Sequence, residues 1–179
     1  MKPASHKRIG QCLAKRHLCS LAPIYIQAFM LGCVQPDKNP TTYLKGSIRF
    51  EWFRGHNYEN SYKYMIRLCR RIKKKRTLTL FDYYQLGKLM HYIADSFTYA
   101  HTHRFGKNLY YHRLYEQNLD VCLQNHICKI PLDETITGKA EDVIQSNRGT
   151  YSTLPHSVFH DIYYSINTCN AVLMLLLSH

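Results

Sequence analysis

The apolar residues of this chain recur every three or four positions, the spacing of one helix face, and no stretch shows the clear alternation of a strand. Ser5 can cap a first helix running from His6 to about Lys15. Leu18 to Leu31 reads as a second, largely buried helix that Gly32 ends, followed by a loop at Pro36-Asp-Lys-Asn-Pro40. Gly46 to His56 is irregular. A third helix opens at Asn57 or Asn60 and turns Tyr64, Met65, Leu68 and Ile72 to one side. Thr79 or Asp82 caps a fourth, whose apolar face is Leu86, Leu89, Met90, Ile93 and Phe97. A break near Gly106 precedes a fifth helix from about Leu109 to Cys128. Pro131 to Thr153 is polar and reads as loop-rich, and Pro155 to Leu177 reads as a final packing helix. There is no internal repeat and no strand–helix rhythm, so the expectation is an all-α helical bundle, one domain over residues 1–179.

Composition supports a real core, since 45% of the 179 residues are hydrophobic. The net charge of +12 favours anionic partners such as phospholipid surfaces, nucleic acids or phosphate esters. Seven of the ten residues from Arg67 to Arg76 are basic, which makes this run a solvated face or a contact with an anionic membrane surface. It holds no interleaved aromatic residue, which weakens a single-strand nucleic-acid reading. The seven cysteines show no CxxC spacing and read as reduced thiols in a cytoplasmic protein, most of them small buried hydrophobes. Basic residues before the apolar stretch Leu18 to Val34 imitate a signal peptide, but Pro23 and Gln27 interrupt it, and a core helix is the better reading.

The chemistry gathers in the centre of the chain. His91 and Asp95 lie four residues apart, as do His112 and Glu116, with His101 between the pairs. On a helix, residues i and i+4 share a face. Five nitrogen and oxygen donors in a short span are how a helical protein builds a zinc site, and they point to a metal-dependent hydrolase. Taken singly, His91–Asp95 reads rather as a buried ion pair, and His112–Glu116 as an exposed helix pair; it is the combination that points to metal. His156-x3-His160-Asp161 also has metal-like spacing but reads as solvated or capping, and Asp82 and Asp120 as caps or surface.

The pattern His91-x3-Asp95-x5-His101 with His112-x3-Glu116 resembles the zinc-dependent phospholipase C family, whose fold and metal cluster the fungal single-strand nucleases share. Ser5-His6, Gly32-Cys-Val-Gln-Pro-Asp37 and Gly55-His56-Asn-Tyr-Glu-Asn60 resemble further segments of that family, in the same order. The resemblance implies one zinc held by Asp37, His56, His91 and Asp95, and a second by His101, His112 and Glu116. A third would use His6 and Asp95, with Asp95 bridging. Asp37 would serve as both ligand and candidate base. His17 competes with His6, and His103 with His101. Secreted members begin with a tryptophan whose terminal amine and carbonyl bind the third zinc. Here Met1 stands near His6 instead, and Lys2 disfavours its removal, so the expectation is a third site that is weak, differently completed or empty.

Three functions follow as expectations. The first is hydrolysis of a phospholipid or related phosphodiester by a metal-activated water, with Tyr58, Tyr92 or Tyr99 flanking a head group. The second is a nuclease or nucleotidase on the same scaffold. The third is a non-catalytic protein in which zinc only stabilises the helices.

Overall fold

The computed structural model describes residues 1–38, 58–102, 105, 108–133 and 135–178. Among these it shows seven α-helices and no strand: α1 (Pro3–His17), α2 (Pro23–Lys38), α3 (Tyr58–Lys73), α4 (Leu80–Ser96), α5 (Leu109–His126), α6 (Ala140–Thr153) and α7 (Val158–Leu177). One turn of 3₁₀ helix, Tyr99–His101, follows α4. No described helix is long and apolar enough to cross a membrane. The expected break at Gly106 and the irregular stretch Gly46 to His56 lie outside the described residues.

α4 runs through the centre and packs against α1, α2, α3 and α7. Its start is set by a reciprocal box. Thr79 Oγ1 accepts from the Asp82 N–H, and the Asp82 carboxylate accepts from the Thr79 N–H, so two otherwise unpaired amides are satisfied. Leu86, Leu89, Met90, Ile93 and Phe97 are all buried, as their spacing predicts. α7 is buried on nearly every side through Ile162, Ile166, Val172, Leu173 and Leu176, and Ser165 Oγ donates to the Ala94 carbonyl at 3.0 Å.

Three expectations about elements are overturned. Ser5 caps nothing: α1 opens on Lys2 with Pro3 in its first turn, and Ser5 Oγ donates to Asp120 Oδ1 at 2.8 Å. Gly32 does not end α2, which continues through Pro36 to Lys38 and carries Asp37 in its last turn rather than in a loop. Gly32 is there for close approach: a Cβ on it would sit 2.1 Å from the Tyr84 carbonyl oxygen, and one on Gly87 would sit 2.0 Å from the Phe29 carbonyl oxygen. Finally, part of the stretch read as loop is α6, whose buried face is only Ala140, Ile144 and Tyr151, too narrow a stripe to stand out.

The basic run ends α3 and leads into the start of α4. Several of its cations have structural duties. Arg70 pairs with Glu141 at 3.1 Å and Lys75 with Asp82 at 2.7 Å. Lys73 Nζ donates to the Leu175 and Ser178 carbonyls, capping the end of α7.

Candidate metal centre

The ligand candidates are brought in from α1, α2, α4, the 3₁₀ turn and α5. They form two groups. His6, Asp37, His91 and Asp95 offer donor atoms all within 4.8 Å of one another, and so do His101, His112 and Glu116. His56 lies outside the described residues, as does His103. His17, the competitor of His6, stands at the far end of α1 with Nε2 2.8 Å from Asn170 Oδ1.

In the first group each carboxylate is split between two imidazoles. Asp95 Oδ1 lies 3.2 Å from His6 Nε2, and Asp95 Oδ2 lies 3.3 Å from His91 Nε2. Asp37 Oδ1 is 3.5 Å from His91 Nε2, and Asp37 Oδ2 is 3.9 Å from His6 Nε2. The two rings stack at 3.7 Å. In the second group His101 Nε2 and His112 Nε2 each lie 3.3 Å from Glu116 Oε1. The groups meet at Asp95, whose Oδ2 is 3.7 Å from His101 Nδ1. The Met1 nitrogen sits at this junction, 2.7 Å from Asp95 Oδ1, 3.0 Å from His101 Nε2 and 3.2 Å from Glu116 Oε1.

These residues fit zinc on two counts. Zinc binds nitrogen and carboxylate oxygen at about 2.0–2.2 Å in a tetrahedron, so neighbouring donors stand about 3.3–3.6 Å apart; four of the seven histidine–carboxylate separations above fall in that range. Four buried atoms here, His6 Nε2, Asp37 Oδ2, Asp95 Oδ2 and His101 Nδ1, have no hydrogen-bond partner among the described residues. An unsatisfied buried polar atom costs about 1–3 kcal/mol, so four in one place suit a cation-binding cluster and not a stabilising one.

The surroundings set the proton states. Burial lowers the His6 pKa to about 3, helped by His91, so its imidazole is neutral. Burial raises Asp37 to about 6; the neighbouring Asp95 and Glu116 push the same way, against His91. Burial opposes ionisation of Asp95, but His101, the Met1 ammonium, His6 and His91 hold it well below its usual range. Glu116 is also lowered, burial notwithstanding, by hydrogen bonds from His101 and His112. Burial would lower the Met1 amine, but Asp95 and Glu116 outweigh it and raise it to about 10.

His91 has a fixed orientation. Its Nδ1 lies 2.9 Å from the Cys33 carbonyl, which can only accept, so Nδ1 carries the proton and Nε2 is the donor atom toward the carboxylates. The close crossing of α2 and α4 at Gly32 and Gly87 brings that carbonyl within reach.

The family model for zinc dependent phospholipase C matches residues 5–170. The chain belongs to the zinc-dependent phospholipase C family. No curated protein and no solved structure matches it significantly. Family membership and the two donor groups together support a zinc-dependent hydrolase of the phospholipase C type.

Two participants were not recognised from the sequence. The Cys33 carbonyl is a backbone group. Asp161, read as solvated or capping, is instead fully buried and accepts three hydrogen bonds close to the second group. Of the tyrosines expected to flank a head group, Tyr92 packs edge-on against His91 at 5.6 Å. Tyr99 stacks on His156 at 3.5 Å, and Tyr58 lies under the Arg148 guanidinium.

Proposed function

We propose that this protein is a zinc-dependent phosphodiesterase that hydrolyses a phospholipid or related phosphate diester. The observation that carries the reading is the pair of histidine–carboxylate groups joined through Asp95, each of whose oxygens faces a different imidazole. His6, Asp37, His91 and Asp95 would hold one part of the metal cluster, with His56 as the resemblance implies, and His101, His112 and Glu116 another. A third ion would draw on His6 and Asp95. Zinc, when bound, polarises phosphoryl oxygens and makes hydroxide available from water near neutral pH.

The chain's own groups divide the remaining work. His6 is neutral at working pH, so its nitrogen is ready to bind without first releasing a proton. The Cys33 carbonyl holds the His91 tautomer. Asp37, raised to about 6, is ionised at pH 7 yet basic enough to accept a proton from an attacking water. The basic run is a second proposed contact, with an anionic membrane surface. It lies at the opposite end of α4 from the site. Thirteen residues separate Asp82, which Lys75 grips, from Asp95, which is about 20 Å along a helix axis.

The test is metal content by elemental analysis with turnover of a chromogenic phosphocholine diester, on the wild type and on His91→Ala and His112→Ala. Two or more zinc ions per chain, reduced in both variants together with turnover, support the reading. Turnover of single-stranded DNA or RNA in place of the lipid analogue would redirect it to a nuclease. Zinc with turnover of neither would leave a structural metal, and no zinc after reconstitution would refute the reading outright.

A further inference from the structure

α7 contributes no ligand candidate, yet it reaches the second donor group through Asp161. The carboxylate is fully buried, and its three hydrogen bonds come from neutral donors. Tyr151 Oη donates to Oδ1 at 2.6 Å. The Tyr99 N–H and Tyr115 Oη both donate to Oδ2, each at 2.7 Å. Burial raises the Asp161 pKa, and these donors work against that rise without cancelling it. Burying a carboxylate among neutral partners costs free energy that an apolar contact would not, so the arrangement invites a reason beyond packing.

The donors supply that reason by their place in the chain. Tyr99 opens the 3₁₀ turn that ends on His101, and Tyr115 immediately precedes Glu116 on α5. One oxygen, Oδ2, therefore ties the backbone of the turn to a side chain of α5. Adjacent helical residues point about 100° apart, so a tether on Tyr115 fixes the rotation of α5 and with it the direction of Glu116. The turn is also held by His156, stacked on the Tyr99 ring, and by Phe105, edge-on to it at 5.3 Å. His101 and Glu116 meet at 3.3 Å, the separation that a shared ion requires.

We propose that Asp161 is a positioning residue for the second donor group: through Tyr99 and Tyr115 it sets the approach of His101 to Glu116, and so the group's affinity for zinc. The proposal rests on the zinc reading of that group. Outer partners that orient ligands typically change metal affinity by about 10–100-fold when lost.

Replacing Asp161 itself risks misfolding, so the informative variants are Tyr115→Phe and Tyr151→Phe. Each keeps its ring and deletes one hydrogen bond to the same carboxylate, but only Tyr115 stands on a helix that bears ligands. Zinc affinity would be measured by competition with a chromophoric chelator. The binding step missing in His112→Ala identifies the second group. Tyr115→Phe should weaken that step about 10–100-fold, while Tyr151→Phe leaves it within about threefold, and the two variants should lower the melting temperature of the metal-free protein equally. Equal losses of affinity in both variants, or none in Tyr115→Phe, would overturn the role of Asp161 and leave the zinc reading intact. A wild type that binds no zinc would instead remove the reading beneath it.

Discussion

Replacing Gly87 with alanine tests whether the crossing of α2 and α4 is what orients the metal site. The added Cβ would lie 2.0 Å from the Phe29 carbonyl oxygen, 2.8 Å from the Cys33 nitrogen and 2.9 Å from the Gly32 Cα. Ordinary contacts of these kinds are about 3.3–4.0 Å, so the helices must separate by more than about 1 Å. All three obstacles are main chain, and no side chain can rotate out of the way. Overpacking costs about 1–3 kcal/mol, and a clash with main chain alone belongs at the upper end, about 3 kcal/mol, against a gain of about 1 kcal/mol for alanine over glycine within a helix. A net loss of about 2 kcal/mol lowers the melting temperature of a chain this size by about 4–8 °C. The same shift takes the Cys33 carbonyl out of hydrogen-bond range of His91 Nδ1, now 2.9 Å away, and zinc affinity should fall about 10–100-fold. Gly149→Ala is the control. Gly149 is also helical, nothing lies within 4 Å of its added Cβ, and the change should stabilise α6 by up to about 1 kcal/mol without touching the metal. Thermal unfolding of the metal-free proteins and chelator competition read the two effects. A Gly87→Ala protein as stable as wild type would refute the packing argument. A protein destabilised as expected but binding zinc normally would refute the link from crossing to ligand.

Two pH dependences follow. Zinc takes the deprotonated carboxylate, and Asp37 holds its proton up to about pH 6, so below that pH binding must release it and apparent affinity should fall about tenfold per unit. Competition titrations from pH 5 to 7 should show this extra slope in wild type and not in Asp37→Asn; parallel profiles would sink it. Asp82 has the opposite shift: burial pushes it up, but hydrogen bonds from Lys75 and Thr79 outweigh burial and hold it below its usual value. A carboxyl with a depressed folded pKa stabilises the fold above its unfolded pKa of about 3.9, and that contribution disappears as pH falls through the folded value. Asp82→Asn should therefore lose less stability than wild type on acidification from about pH 5 to 2, as followed by chemical denaturation, and an unchanged acid slope would contradict the role of this carboxylate.

The sequence was most legible where a residue's local role and its role in the fold coincide. Along α4 the apolar spacing, the capping pair Thr79 and Asp82, and the chemistry of His91 and Asp95 all agree on one helix. It was misleading where a residue served a distant partner. Gly32 has the appearance of a helix terminator, but its lack of a side chain serves α4, fifty residues on, and nothing local says so. Ser5 looks like a cap and is spent on Asp120. α6 is polar enough to pass for a loop because three buried residues suffice to dock it on the core. The site followed the same rule. The order and spacing of donors could be read directly, and the structure gathers seven of the eight into two groups, with His56 outside the described residues. The Cys33 carbonyl has no letter of its own, and the tyrosines that hold Asp161 come from three separate elements.

Charge explains why such a site belongs in this particular chain. The protein carries a net +12, yet Asp37, Asp95 and Glu116 converge on one small volume. The long-range field of the molecule attracts an anion such as a phosphate diester, and the basic run at the far end of α4 adds to it. At short range the three carboxylates repel that same anion. Under the proposed function, divalent cations bound by these residues would invert the local sign and leave the long-range attraction unchanged, so an anionic substrate would be received only in the metal-loaded state. The hydrogen bonds that set the His91 tautomer, and the proposed tether from Asp161 to the second group, would act on that loading step before they act on any chemistry.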